Sequence, residues 1–133
     1  MSDTDKNNPS SSKKKVLIVE DDVFIGNIIL KELLKVYQNA TLITSGTEAA
    51  ETLKKDIPDI LILDIFLPGI NGLDLLESLR KEERTKELKV LVVSNTDQSQ
   101  DRERAKRLGA AFLLKATTTP IEIAKEIQKI LAE

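Results

Sequence analysis

The chain has 133 residues, with 20 Lys and Arg against 22 Asp and Glu, a formal net charge of −2. Hydrophobic residues make up 41% and aromatics only 3%, enough to bury one largely aliphatic core. Neither Cys nor His occurs, which excludes disulfides, thiolate chemistry and imidazole as a base, phosphocarrier or metal ligand.

The opening stretch, MSDTDKNNPSSS, is polar and without apolar periodicity. Residues 1–13 are therefore expected to form a disordered leader and residues 14–133 the folded domain. The first apolar run, Val16-Leu17-Ile18-Val19, has the continuity of a strand buried on both faces. Residues 23–37 follow with Ile25, Ile28, Ile29, Leu33 and Val36 on one stripe, which predicts a helix. Ala40-Thr41-Leu42-Ile43-Thr44 predicts a second strand, more polar, as suits an edge. Residues 47–55 carry Ala49, Ala50 and Leu53 and predict a short helix, with Ser45 and Glu48 spaced as a capping box. Ile60-Leu61-Ile62-Leu63 is the third predicted strand, and residues 72–83, with Leu73, Leu75, Leu76 and Leu79, the third helix. Val90-Leu91-Val92-Val93 is the fourth strand. Residues 98–108 form a nearly all-polar fourth helix, anchored by Ala105 and Leu108 and stopped by Gly109. Ala111-Phe112-Leu113-Leu114 is the fifth strand. The fifth helix, 120–132, presents Ile121, Ile123, Ala124, Ile127, Ile130 and Leu131, and Thr119, Pro120 and Glu122 mark its start.

Five strand–helix units in alternation imply a parallel sheet with helices on both faces, joined by right-handed crossovers. The expected fold is a doubly wound (βα)5 flavodoxin-like three-layer sandwich with sheet order 2-1-3-4-5, whose ligands bind at the carboxyl ends of the strands. No apolar run reaches the ~18 residues of a membrane helix, and no signal-peptide core is present, so a soluble cytoplasmic protein is expected. The near-neutral charge supplies no field for direct nucleic-acid binding.

At the carboxyl ends stand Glu20-Asp21-Asp22 after the first strand, Asp64 after the third, Ser94-Asn95-Thr96 after the fourth and Lys115 after the fifth. In the expected order these loops share one edge, so several carboxylates, a pair of hydroxyls and one ammonium converge. Unit charges 4 Å apart repel by roughly 1–4 kcal/mol at the dielectric of a wet protein surface. A divalent cation removes that cost, and an all-oxygen donor set favours Mg2+. Asp64, central and alone on its strand end, is the carboxylate best placed as a nucleophile. The Lys115 ammonium and the hydroxyls can hold oxygens of a transferred phosphoryl group. Asp22 is expected only to cap the first helix, and Thr117, Thr118 and Thr119 are loop and cap residues. The charges at 80–89 and 101–107 are read as solvated helix faces.

The segments VLIVEDD, LILDIFLPGINGLDLL, VLVVSNT and GAAFLLKA, in this order, resemble the receiver domain of bacterial two-component response regulators. The resemblance covers residues 14–132, and the third-strand segment, with Pro68-Gly69 and Asn71-Gly72 after Asp64, is its most specific part. It implies that Asp64 accepts a phosphoryl group from a histidine kinase or phosphotransfer protein. It further implies that Asp21 ligates Mg2+ directly, Glu20 mainly through water, and the Phe66 backbone carbonyl completes the protein ligands. Ser94 takes the place of the family's switch hydroxyl, Lys115 pairs with the phosphoryl group, and Phe112 occupies the aromatic switch position. The implied readout surface is the fourth helix, fifth strand and fifth helix, which meets a target protein in trans or pairs with a second copy as a phosphorylation-dependent homodimer. With the chain ending at Glu133, output in trans is the expectation. The chain is not expected to be an enzyme beyond its own phosphorylation and dephosphorylation.

Three positions depart from the family pattern. Ala116 follows Lys115 where Lys-Pro with a cis bond is usual, and a trans bond is expected before Ala. Asn95 stands where a small residue is usual, and Phe66 is bulky and apolar. The last two are expected to hinder an attacking water and lengthen the life of a phosphoaspartate. Three rival readings remain. One is a pseudo-receiver that binds proteins without phosphorylation. Another is an FMN-binding flavodoxin, opposed by the acids after the first strand. The third is an aspartyl-phosphate hydrolase, which needs an acid where Phe66 stands.

Overall fold

The apolar runs pair side by side in the computed structural model, which describes residues 13–133; the expected leader, but for Lys13, lies outside the described residues. In chain order the elements are β1 (Lys15–Val19), α1 (Val23–Leu33), β2 (Asn39–Ile43), α2 (Gly46–Lys55), β3 (Ile60–Leu63) and α3 (Gly72–Lys81). Then come β4 (Lys89–Ser94), α4 (Ser99–Arg107), β5 (Ala111–Leu114), a 3-10 turn (Lys115–Thr117) and α5 (Pro120–Ala132). All pairings are parallel and the order is β2-β1-β3-β4-β5, as the doubly wound expectation requires.

Side chains alternate across each strand, and both faces are covered. Leu17, Val19, Leu61, Leu63, Val90 and Val92 face α2, α3 and α4, whose Ala49, Leu53, Leu76, Leu79 and Ala105 close over them. Val16, Ile18, Ile60, Ile62, Leu91 and Val93 face α1 and α5, packing on Ile29, Leu33, Ile123 and Ile127. That two-sided burial is why β1, β3 and β4 are apolar without alternation. β5 is the second edge strand and is only half-buried along its length, so its apolar run overstated its burial.

Several boundaries and stripes shift. α1 ends at Leu33, four residues short of the expected helix, because tight turn bonds take over: Lys35 N–H reaches Glu32 O and Val36 N–H reaches Leu33 O. That turn buries Tyr37 in place of the predicted continuation. Ile28 and Ile121 lie off the core-facing stripes and are exposed: Ile28 is about 100° of helix from buried Ile29, and Ile121 lies nearly opposite buried Ile123. α3 stops at Lys81, since Glu82 is extended. Asp22 caps α1 through Ile25 N–H, as expected. The full capping box forms at Thr119 and Glu122, whereas at Ser45 only the half with Glu48 N–H forms and the Glu48 side chain is exposed. Gly109 ends α4 with φ +75°, a conformation glycine adopts without strain. No helix of the described residues is long and apolar enough to cross a membrane.

Candidate functional site

Strand register places the acids. Val19 pairs with Leu63, so the residues that follow, Glu20 and Asp64, emerge next to one another. Backbone bonds extend the ladder past the strand ends: Glu20 N–H to Ile43 O and Asp64 N–H to Val19 O, both 3.1 Å. Ser94 pairs with Leu114, so Lys115 leaves β5 just beyond it. The four loops open on one edge because the sheet is parallel.

There, one carboxylate oxygen from each of Glu20, Asp21 and Asp64 lies within 4.8 Å of the others. Glu20 and Asp64 are buried, while Asp21 is exposed. Lys115 Nζ bridges the buried pair, donating to Glu20 Oε1 at 2.7 Å and Asp64 Oδ2 at 2.9 Å. It does so with every peptide bond of the described residues trans, Lys115–Ala116 included. The second Glu20 oxygen, Oε2, accepts from Asp22 N–H at 3.0 Å, and Asp64 Oδ1 accepts from Phe66 N–H at 3.4 Å.

Burial raises the Glu20 carboxyl above the usual carboxylate range; the Lys115 bond works against this, and the charge of Asp64 adds to it. Burial alone would lower the Lys115 ammonium, but its bonds to Glu20 and Asp64 outweigh that and hold it above its ordinary value. Glu20 rises chiefly because it is buried, whereas Lys115 is held up because its single ammonium pairs with two of the three clustered carboxylates. Further positive charge is what the cluster lacks, and its donors are all oxygen, the set a hard divalent cation such as Mg2+ takes. Asp21 is the carboxylate of the three most open to a cation. Both oxygens of Glu20, and both of Asp64, already accept from protein donors.

The loop after Asp64 is held close. Gly72 N–H bonds Ile65 O at 2.7 Å, and a Cβ on Gly72 would lie 2.1 Å from the Asp64 carbonyl oxygen, so only glycine lets α3 begin there. Asn71, which the sequence reading did not assign to a helix start, caps α3 through Leu73 and Asp74 N–H. Phe66 is 55% exposed beside the acids, and Asn95 is exposed at the end of β4.

Of the expected hydroxyl pair only Ser94 belongs here. It is fully buried at the end of β4, and its Oγ has no hydrogen-bond partner among the described residues, a costly state for a buried hydroxyl. Thr96 serves α4 instead: its Oγ1 donates to Asp101 Oδ2 at 2.6 Å and accepts from Gln98 N–H at 3.2 Å. A threonine three residues before the helix start is the available signal. Phe112 is half-buried on the α4 side of the sheet, under the Arg102 guanidinium at 5.8 Å from the ring centroid.

The charges read as solvated helix faces are in part structural. Arg80 Nε donates to Leu108 O at 2.6 Å, and its Nη1 to Leu88 O at 2.7 Å. Arg104 Nη2 reaches Asp74 Oδ1 and Glu77 Oε1, each at 2.8 Å. Contacts across separate helices leave no periodic trace in a sequence.

Comparison with known proteins bears on this arrangement. Residues 16–128 match the family model for the response regulator receiver domain. The transcriptional regulatory protein QseB of Escherichia coli O157:H7 is 32% identical over 117 residues, 88% of this chain and 52% of that protein. The regulator of RpoS of E. coli K12 is 36% identical over 101 residues, 76% of this chain and 29% of that protein. The chain thus spans about half or less of the length of these curated relatives. Among solved structures, a putative response regulator from Chloroflexus aurantiacus is 31% identical with a TM-score of 0.79, covering 91% of this chain and 99% of that one. The Vibrio cholerae chemotaxis response regulator CheY4, at 23% identity and TM-score 0.80, covers 89% of this chain and 98% of its own and shares the fold.

Proposed function

The chain belongs to the response regulator receiver domain family of two-component signalling, and on that premise we propose that it is a phosphoacceptor switch with Asp64 as the acceptor. The observation that carries this reading is the three-carboxylate cluster served by one lysine, beside a buried hydroxyl without a partner. A magnesium ion held by Asp21 and Asp64, by Glu20 mainly through water, and by the Phe66 carbonyl would supply the charge that draws phosphoryl oxygens to this edge.

A carboxylate oxygen of Asp64 attacks the phosphorus of a donor phosphohistidine. The P–O bond forms as the P–N bond breaks, and the electron pair returns to the donor imidazole. Lys115 moves from the carboxylates onto a phosphoryl oxygen, and the Ser94 hydroxyl gains the partner it lacks. The donor is a histidine kinase or phosphotransfer protein. Exposed Val23 and Phe24 follow the first acids, Phe66 follows Asp64 and Ile121 lies in the first turn of α5, so apolar side chains are exposed on the loops and helix starts of the edge that carries the acids, which favours a protein donor. The response passes through α4, β5 and α5 to a partner in trans.

Intact-mass measurement after incubation with acetyl phosphate and Mg2+ tests this. The wild type is expected to gain about 80 Da, the phosphoryl group, and Asp64→Asn nothing. A wild type that gains nothing is the pseudo-receiver outcome, and equal adducts on both chains would place the acceptor elsewhere. Phe66 and Asn95 follow the ends of β3 and β4, are exposed, and by the family resemblance would hinder an attacking water, so the adduct is expected to persist. Release within seconds in Mg2+ counts against that shielding, as does a Phe66→Asn chain that releases no faster.

A further inference from the structure

α4 contributes one buried residue, Ala105, so apolar packing holds it weakly. Its attachments are polar and unequal at the two ends. At the carboxyl end, Arg80 grips the Leu108 carbonyl together with those of Thr85, Lys86 and Leu88, tying that end to the loop before β4. At the amino end, Thr96 Oγ1 holds Asp101, and Thr96 lies two residues past the unpartnered Ser94. A pull on Ser94 would act first on the amino end of α4, and how far the helix swings about its carboxyl anchor then depends on what holds its middle. Between them Arg104, one turn before Leu108, binds two carboxylates of α3, Asp74 and Glu77, at 2.8 Å each. These bonds hold Arg104 above, and Glu77 below, their ordinary titration ranges, which marks a paired network.

We propose that Arg104 with Asp74 and Glu77 forms a latch that holds α4 against α3 in the unphosphorylated arrangement and so sets how readily the site takes a phosphoryl group. The proposal rests on Asp64 as phosphoacceptor. Contacts made in one state and broken in the other lower affinity for the ligand of the other state by the factor they contribute. Arg104 is thus a positioning residue. Its carboxylate partners are 64% and 43% exposed, so the factor is modest, about three- to fivefold.

The test is titration of the whole chain with beryllofluoride, a phosphoryl mimic, in Mg2+, read by fluorine NMR. Arg104→Gln is expected to bind about three- to fivefold more tightly than wild type, and the Asp74→Asn, Glu77→Gln chain likewise. Combining all three changes should add nothing further, since each set removes the same contact. Arg104→Lys should return most of the way to wild type. If wild type binds and Arg104→Gln binds equally or more weakly, or if the two sets add, the latch is overturned. A wild type that binds no beryllofluoride overturns the phosphoacceptor reading and the latch with it.

Discussion

α3 and α4 lie on the same face of the sheet and are ten and nine residues long, yet they are held by different forces. α3 buries Gly72, Leu73, Leu75, Leu76 and Leu79 and carries an Asn71 cap. α4 buries Ala105 alone and depends on Arg80, Arg104, Thr96 and Asp101. Apolar burial is non-directional and indifferent to a charge arriving nearby, whereas ion pairs and hydrogen bonds respond to it. The helix that follows Asp64 is thus held mainly by apolar burial and the helix that follows Ser94 mainly by polar contacts, the kind on which a phosphoryl group at Asp64 would act under the proposed function.

The largest effect expected from this contrast is at Leu76, which is fully buried. Leu76→Ala should cost about 2–5 kcal/mol in urea unfolding, and a loss well under 1 kcal/mol would erase the distinction between the helices. Thr96→Val should cost about 0.5–1.5 kcal/mol by removing the hydroxyl that bonds the Asp101 carboxylate and Gln98 N–H at the start of α4. Amide exchange should show the loss concentrated in residues 99–107, and uniform loss across the domain would break the assignment. Ser94→Ala sharpens the contrast from the other side. Deleting a buried hydroxyl that has no partner should leave stability unchanged or raise it by up to about 1 kcal/mol. The same chain should bind Mg2+ nearly as wild type but respond less to phosphorylation, and full activation of the mutant would refute the role of that hydroxyl.

Much of this was legible in the chain. Continuous apolar runs identified β1, β3 and β4, since a strand covered on both faces has no polar side to show. Ser94 and Lys115 were placed on the reactive edge from their positions at strand ends. Thr96 was grouped with Ser94 because strand-end position alone does not say which way a loop side chain turns. The early end of α1 leaves no mark in the sequence because Val36 continues the apolar spacing, although Tyr37 packs through a turn. Arg80 and Arg104 read as solvated because helix periodicity reports distance from the core and nothing about a carbonyl or carboxylate on the neighbouring helix.

What the sequence determined by itself is the alternation of elements, the parallel order of the sheet and the edge where the acids gather, all of which follow from local periodicity and the handedness of crossovers. Tertiary structure alone decided that Lys115 reaches Glu20 and Asp64, 95 and 51 residues away, that Ser94 is left without a partner, and that α4 is held by arginines. The physical reason is range: periodicity is a property of neighbours along the chain. A hydrogen bond is set by a few tenths of an ångström between groups that only the folded chain brings together.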